Sequence, residues 1–405
     1  QFRQLAVPQL SLESRHRVKD FDLVGLSLPT ELLYPNLAQF LLDCNLAPWA
    51  HERLPSDPLI AVGGVASFNP LPLAPLVDLV FIGEAEESFV EVLETLESIP
   101  HLEKSEKLQA LSRIPGVYIP SVHRNEMQVV SKRSLRNLSL LTELTEPVIP
   151  YGWESKPRAS LQLMRGCVWK CRYCQAGYTT LPVRSLTADQ ARQTVEDLRD
   201  YGIEEVGLLA LNVIDYPYMQ PLMEGLAMHQ GHLRMPAIKM NHVEPGLIRP
   251  VVGSTYNLAL EAGTAQLRSS VLNRPISDAD WHKAVQHILA AGGKRITMDF
   301  MVGLPQETDD AVRAIASTVN AVADLVDGRA ELSVSVASFV PKPHTPFQWH
   351  RQILPQEARR RFQTLRAAVI ERDHVHYHFR DPASTLIEGV LARGEASMAR
   401  LLVAA

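Results

Sequence analysis

What most limits the fold of this chain is an alternation of short apolar runs with stretches of helical period. In the first hundred residues, 23–28 (LVGLSL), 59–65 (LIAVGGV) and 79–82 (LVFI) are apolar at consecutive positions, as strands covered on both faces are. Residues 34–42 and 86–96 carry helical spacing around them. This order predicts a doubly wound, Rossmann-like domain over residues 1–100, truncated by its first strand–helix unit. From Ser160 the alternation resumes, with strand candidates at 161–164, 206–211, 235–240, 257–261, 296–302 and 332–340. Helices fall between them. Thr187-Ala188-Asp189-Gln190 is a capping box opening a helix that closes at Gly202, and 278–291 and 307–325 are two more. Six such units in succession predict a partial (β/α) barrel over 153–350, whose chemistry lies at the carboxyl ends of its strands; a doubly wound sheet is the runner-up. Residues 101–152 read as a proline-marked connector with a small hairpin. After Pro355 the text is Arg-rich and helical, then irregular, which predicts a helical extension over 351–405.

Composition agrees with a multidomain α/β protein. The 405 residues are 46% hydrophobic and 21% charged, with a net charge of −5, enough for two or three domains. A mildly acidic balance argues against a broad nucleic-acid surface. No apolar run approaches the ~18–20 residues of a membrane helix. Four cysteines are too few for a disulfide framework, so a reducing, cytoplasmic setting is expected. The start at Gln1 and the apolar Leu-Leu-Val-Ala-Ala end suggest an interior portion of a longer protein.

Three of the four cysteines fall within eight residues, Cys167-Val-Trp-Lys-Cys171-Arg-Tyr-Cys174, in the loop after the first barrel strand candidate. Thiolates at this spacing can converge on one polynuclear site, and three of them leave one iron of a cubane cluster open to a substrate or cofactor. A structural zinc site wants four ligands in two pairs, and no second pair exists. A redox C-x-x-C of Cys171 and Cys174 leaves Cys167 unexplained. The iron–sulfur reading is favoured. Cys44 reads as a small apolar residue of its helix or loop.

The C-x3-C-x-aromatic-C motif resembles that of the radical S-adenosylmethionine (SAM) superfamily. The segments GCVWKCRYCQAG, LPVRS, LALEAGTAQLR, NRPIS, MDFMVGLPQET and FVPKPHTPFQW resemble one subfamily of it. These are bacterial radical SAM proteins with an N-terminal domain of cobalamin-binding type, mostly of unknown substrate. FDLVGLSLPTELLYPN and LIAVGGVASFNPLPLAPLVDLVFIGEAEES are similar to the same proteins, so the resemblance covers nearly the whole chain. It implies a [4Fe-4S] cluster on Cys167, Cys171 and Cys174 whose open iron chelates SAM. Reduction by a partner such as ferredoxin or flavodoxin then gives a 5′-deoxyadenosyl radical that acts on an unknown substrate.

The resemblance places Tyr173 near the adenine, though packing the loop is its plainer role. It matches Glu261, at the end of the fourth strand candidate, to a SAM contact, and Gly303 of MVGLP to the glycine whose backbone meets adenine; an ordinary turn also accounts for Gly303. Asn212 ends the second strand candidate and could bind the amino acid moiety, although LLALN stands where a serine-containing turn is expected. Arg268 and Arg274 are candidate partners of Glu261 or of the SAM carboxylate, with solvent exposure the alternative for each. His344 of KPHTPF could face substrate or simply belong to a proline-rich turn. The histidines of 372–378 (RDHVHYH) read as an exposed or edge segment rather than a metal site.

Cobalamin is the less favoured cofactor. The chain has no D-x-H-x-x-G, and the surroundings of His51 do not match it. The competing functions are a cobalamin-dependent radical methyltransferase and a non-catalytic iron–sulfur module for electron transfer or structure. A tRNA- or ribosome-modifying enzyme is disfavoured by the negative charge and by the lack of a second cysteine cluster.

Overall fold

The computed structural model describes residues 9–123, 129–141, 158–203, 205–225, 233–234, 238–239 and 255–405. The chain divides into two compact units. The first comprises Gln1–Leu135, Lys342–His344 and Ile387–Ala405, and the second Arg136–Pro341 and Thr345–Leu386. These limits differ from the expected 1–100, 101–152, 153–350 and 351–405, because chain from the connector and from the carboxyl end folds back onto the first unit.

In that unit β1 (Leu23–Ser27), α1 (Tyr34–Asp43), β2 (Leu59–Gly63), β3 (Leu79–Phe81), α2 (Glu86–Ser98), α3 (Lys104–Leu111) and β4 (Val117–Tyr118) follow in sequence. The sheet order is β1-β2-β3-β4, parallel over the first three strands. Among the described residues of the connector no hairpin forms: β4 adds to β3 as an antiparallel edge, with Phe81 opposite Val117. Both faces are covered, which is why the strands are continuously apolar. Ile60, Val62 and Val80 pack with Tyr34, Leu37 and Leu41, while Leu59, Ala61, Leu79 and Phe81 pack with Val92, Leu108 and Leu111. Leu391, Ala399 and Leu402 join the first of these clusters, so the end of the chain completes this core. The turns 63–64 and 83–84 are the tight turns expected of strand ends. A Cβ on Gly83 would lie 2.2 Å from the Arg133 carbonyl oxygen.

The second unit runs through β5 (Arg158–Gln162), β6 (Met164–Arg165), α4 (Ala176–Thr179), β7 (Arg184–Ser185), α5 (Ala188–Asp200), β8 (Glu205–Leu209), α6 (Met219–Gly225), β9 (Leu233–Arg234) and β10 (Ile238–Lys239). It continues through β11 (Tyr256–Glu261), α7 (Asp278–Ala290), β12 (Arg295–Val302), α8 (Asp309–Val326), β13 (Glu331–Ser338), α9 (Pro355–Ala368) and β14 (Val375–Phe379). The strands form two parallel sheets, β5-β8-β9 and β10-β11-β12-β13-β14, with a small antiparallel β6-β7 pair. Among the described residues no closed ring forms, so the barrel is partial. Much of the 235–240 candidate, and the PVIPYG text at 147–152, lie outside the described residues.

Local chemistry explains the helix starts. Thr187 with Gln190 and Ser277 with Asp280 form reciprocal capping boxes for α5 and α7. Helix α8 opens at Thr308, whose hydroxyl accepts the Ala311 N–H. The helix expected from residue 307 therefore begins later, because Glu307 is turned inward. Its Oε2 accepts the Gly303 N–H at 2.6 Å and an Arg361 N–H at 2.5 Å, while Oε1 is buried without a hydrogen-bond partner. Beyond α9 the text expected to be irregular forms β14, an edge strand parallel to β13, and then α10 (Pro382–Ala392) and α11 (Ala399–Ala404).

Burial raises the Glu307 carboxyl to about 7, against the opposing pull of Gly303 and Arg361. Between the ordinary carboxylate range and pH 7 the folded protein thus holds a proton that the unfolded chain releases. Stability falls as pH rises through that window, by on the order of 3 kcal/mol. Thermal melts of Glu307→Gln from pH 4.5 to 7.5 should show a flatter profile than the parent; equal slopes would show that Glu307 is ionised throughout.

Candidate active site

The cysteine loop leaves β6 through Gly166. The backbone there is left-handed (φ 89°), and a Cβ would lie 2.8 Å from the Val183 Cα, so only glycine fits. The loop is then strapped to the one-turn π-helix Leu267–Val271. Arg172 donates its N–H to the Leu272 carbonyl at 2.9 Å and its guanidinium to the Ser270 and Val271 carbonyls, and Asn273 donates to the Lys170 carbonyl. π-Helical turns frequently mark functional sites.

None of the three is in a disulfide; Cys171 is buried, and Cys167 and Cys174 are half-buried. Burial pushes the Cys171 thiol up, the Arg274 guanidinium opposes this, and Cys174 and Cys167 lie near enough to add to the rise. The loop therefore gathers the three sulfurs in one electrostatic neighbourhood. Among the described residues no three His, Cys, Asp or Glu side chains close on a single metal-ion position. A four-iron cube is a wider object than a single ion and takes its thiolates on different irons.

Beside Cys171 stand Arg274 and Tyr173, and Glu261 lies in range of both of them. Arg274 is buried (3% exposed), its Nη1 3.8 Å from the Cys171 Sγ, while its Nε and Nη2 are buried without a hydrogen-bond partner. Two idle N–H groups on a buried guanidinium are costly unless an acceptor arrives. Exposure to solvent, the alternative weighed for Arg274, is thus overturned. Burial raises Tyr173 well above the usual phenol range, the Glu261 carboxylate adds to this and Arg274 opposes it. Tyr173 packs against the apolar cluster of Leu267, Leu272, Phe339 and Phe347, which is the packing role expected of it. Glu261 closes β11 with left-handed backbone (φ 70°) at an irregularity in its pairing with β12. Such strain in a non-glycine residue persists where the surroundings impose it, commonly at ligand sites.

Arg268 requires correction. It is fully buried, neither solvent-exposed nor turned to Glu261. Its guanidinium donates to the Ile276 carbonyl at 2.8 Å, the Ala262 carbonyl at 3.1 Å and the Asp278 carboxylate at 2.5 Å. These bonds make it a strut that ties the end of β11 to the start of α7. At Gly303 (φ 85°) the N–H is spent on Glu307 and a Cβ would lie 2.6 Å from the Ile353 side chain, so a glycine turn accounts for this residue.

Asn212 is buried at the end of the β8 segment. Its amide donates to Asp215 at 2.7 Å and its Oδ1 lacks a hydrogen-bond partner. The same Asp215 oxygen accepts the Trp169 indole N–H at 2.6 Å, which links β8 to the cysteine loop. Sequence reasoning missed this link; its only signal was a tryptophan inside the cysteine spacing.

The carboxyl ends of β1–β3 in the first unit are where a sheet of this kind binds ligands. Here the chain itself covers them. Ser67 Oγ donates to the Gly64 and Phe81 carbonyls, Arg133 N–H to the Ile82 carbonyl, and Glu84 N–H to the Arg133 carbonyl. Residues 342–344 lie there too: Lys342 pairs with Glu31, and the His344 ring nitrogen is 2.8 Å from the Phe68 carbonyl oxygen. His344 therefore bonds within the first unit. His51 is exposed on the one-turn helix Ala50–Glu52, and Cys44 is a buried cap of α1. Among the described residues these strand ends are covered by the chain's own hydrogen bonds, and no step is assigned to cobalamin.

Two family descriptions match the chain: "Radical SAM proteins, N-terminal" over residues 1–120 and "Radical SAM superfamily" over 161–319. An uncharacterized protein of Methanocaldococcus jannaschii is 24% identical over 99% of this chain and 84% of its own length. A tRNA-2-methylthio-N(6)-dimethylallyladenosine synthase of Solibacter usitatus is 25% identical over 56% of the chain, which spans about half (53%) of that enzyme. Among solved structures, the radical SAM methyltransferase TsrM of Kitasatospora setae, with cobalamin and a [4Fe-4S] cluster bound, is similar in fold. Its TM-score is 0.56 at 14% identity, over 84% of this chain and 64% of that one.

Proposed function

We propose, from a chain that belongs to the radical SAM superfamily, an enzyme that cleaves SAM reductively and uses the resulting radical on a substrate bound in the partial barrel. The observation that carries this reading is the buried Arg274, with two idle N–H groups beside Cys171 and with Glu261 and Tyr173 in range. Cys167, Cys171 and Cys174 hold the [4Fe-4S] cluster. Bound together, cluster and SAM supply one-electron cleavage of a sulfonium, the source of a carbon radical for hydrogen abstraction.

The protein's own residues bind and orient. Arg274 donates to the SAM carboxylate from Nε and Nη2, where burial makes the pair strong. Glu261 accepts from the SAM ammonium, and Asn212 offers its Oδ1 to the same end. Tyr173, packed against Leu272 and Phe347, keeps water from the cluster. Arg172 and Asn273 hold the loop so that these groups meet. This reading places the protein in the cytoplasm with a ferredoxin or flavodoxin as reductant. No described helix is long and apolar enough to cross a membrane.

The test is anaerobic purification with iron and sulfide analysis, then reduction in the presence of SAM. Formation of 5′-deoxyadenosine supports the reading. A full cluster that leaves SAM intact under several reductants removes it.

A further inference from the structure

The register of β12, β13 and β14 aligns side chains in rungs across the sheet. Thr297, Ser333 and His376 share one rung, and Asp299, Ser335 and His378 the next. The alternate residues point the other way, into the helical layer: Val334 and Val336 are fully buried, Phe379 meets Phe362 at 5.0 Å, and the Arg366 guanidinium lies 4.2 Å over the Phe379 ring. The polar rungs thus face the inside of the partial barrel. Interiors of closed barrels are filled with branched apolar side chains. This wall is polar and open instead: Ser335, His376 and His378 are exposed, and Thr297, Asp299 and Ser333 are half-buried. It contributes little to a core, so its composition points to a ligand.

The rung at the amino end is Arg295 beside Glu331, and only toward the carboxyl ends is the wall graded in charge. On the β11–β12 side stands the Asp299 carboxylate, which accepts from the Asn257 amide at 2.8 Å. On the far edge, two strand spacings or roughly 10 Å away, β14 presents His376 and His378. The ladder continues past its end, with the Arg380 N–H donating to the Val336 carbonyl at 2.9 Å. Residues 376, 378 and 380 are all exposed and alternate with half-buried neighbours, which puts Arg380 on the same face. His376 is held by Glu331 at 2.9 Å near the amino end. His378 and Arg380 stand toward the carboxyl ends, the end at which barrels of this type do their chemistry.

We propose that the inward face of β14 is the substrate-reading edge of the barrel, and that His378 and Arg380 bind an acidic group, a carboxylate or phosphate, of the substrate. The inference rests on the proposed function, since it assigns the substrate class of that same site. An imidazole N–H and a guanidinium two residues apart on one strand lie about 7 Å apart along it. They can close on one oxyanion from two sides, and a guanidinium binds such groups bidentately. The Asp299 side of the wall repels the same group, which fixes the direction in which an acidic substrate enters.

The experiment uses the full chain and two probes, inorganic pyrophosphate and succinate, titrated calorimetrically and followed by the histidine ring-proton resonances. The expected result is saturable binding of at least one probe, weakened roughly tenfold or more in His378→Gln/Arg380→Gln. Arg380→Lys, which keeps the charge, should retain much of the binding, and Lys283→Gln on the exposed side of α7 should retain all of it. Melting curves establish that each variant is folded. Tighter pyrophosphate binding identifies a phosphorylated substrate, and tighter succinate binding a carboxylic acid. No saturable binding at millimolar concentration, or equal affinity in the folded double variant, overturns the proposal. Formation of 5′-deoxyadenosine is measured in parallel: its loss with anion binding intact counts against the SAM reading alone, and its presence without anion binding counts against β14 alone.

Discussion

Cys171→Ala is expected to abolish 5′-deoxyadenosine formation and to strip most of the iron from the anaerobically purified protein. Cys171 is the most buried of the three thiols and the one facing Arg274, so under the proposed function its loss removes a ligand where no water can substitute cheaply. Two half-buried thiols, Cys167 and Cys174, then remain for a cluster that family members hold with three. The fold should survive, because the loop is positioned by Arg172 and Asn273 rather than by the sulfur. Cys44→Ala is the matched control, a buried cysteine of the first unit whose thiol burial pushes up to about 11. It should keep full iron and full SAM cleavage. Four irons per chain and undiminished cleavage in Cys171→Ala would remove the thiol from the site.

The cysteine site was legible in the sequence because its signal is local: three thiols within eight residues, after an apolar strand. The strands of both units were legible for a related reason, since a run apolar at every position has to be covered on both sides. What escaped depends on where distant chain returns. Arg268 and Arg274 stand six residues apart in one segment, and nothing local separates them. The fold surrounds Arg268 with two carbonyls and Asp278, and it leaves Arg274 beside Cys171 with two N–H groups idle. Strand β14 was legible only as an exposed or edge segment, because its alternation sets His against Val, Tyr and Phe and nothing local names β13 as its neighbour. The limits of the first unit escaped too, because its core is completed by Leu391, Ala399 and Leu402, some three hundred residues downstream in sequence from the strands they cover.

The same return of distant chain gives the largest expected effect on stability. Lys342 of the KPHTPF segment places its ammonium 2.5 Å from the Glu31 carboxylate and 2.8 Å from that of Glu388, all three in the first unit. The two carboxylates are 3% and 9% exposed, so neither can fall back on water if the cation is removed. Removing one partner from a buried ion pair costs about 3–5 kcal/mol, because the penalty of the orphaned charge is added to the lost attraction. Lys342→Met should therefore destabilise the first unit by that amount, a large part of the ~5–15 kcal/mol that holds a typical domain together. Urea unfolding followed by tryptophan fluorescence measures it, with Trp49, packed against the first unit's core, as reporter. Adding Glu31→Gln and Glu388→Gln to Lys342→Met removes the orphaned charges and should recover most of the loss. If Lys342→Met instead costs less than about 1 kcal/mol, the triad has the worth of surface ion pairs. In that case residues 342–344 would owe their place in the first unit to the contact of His344 with Phe68 rather than to charge.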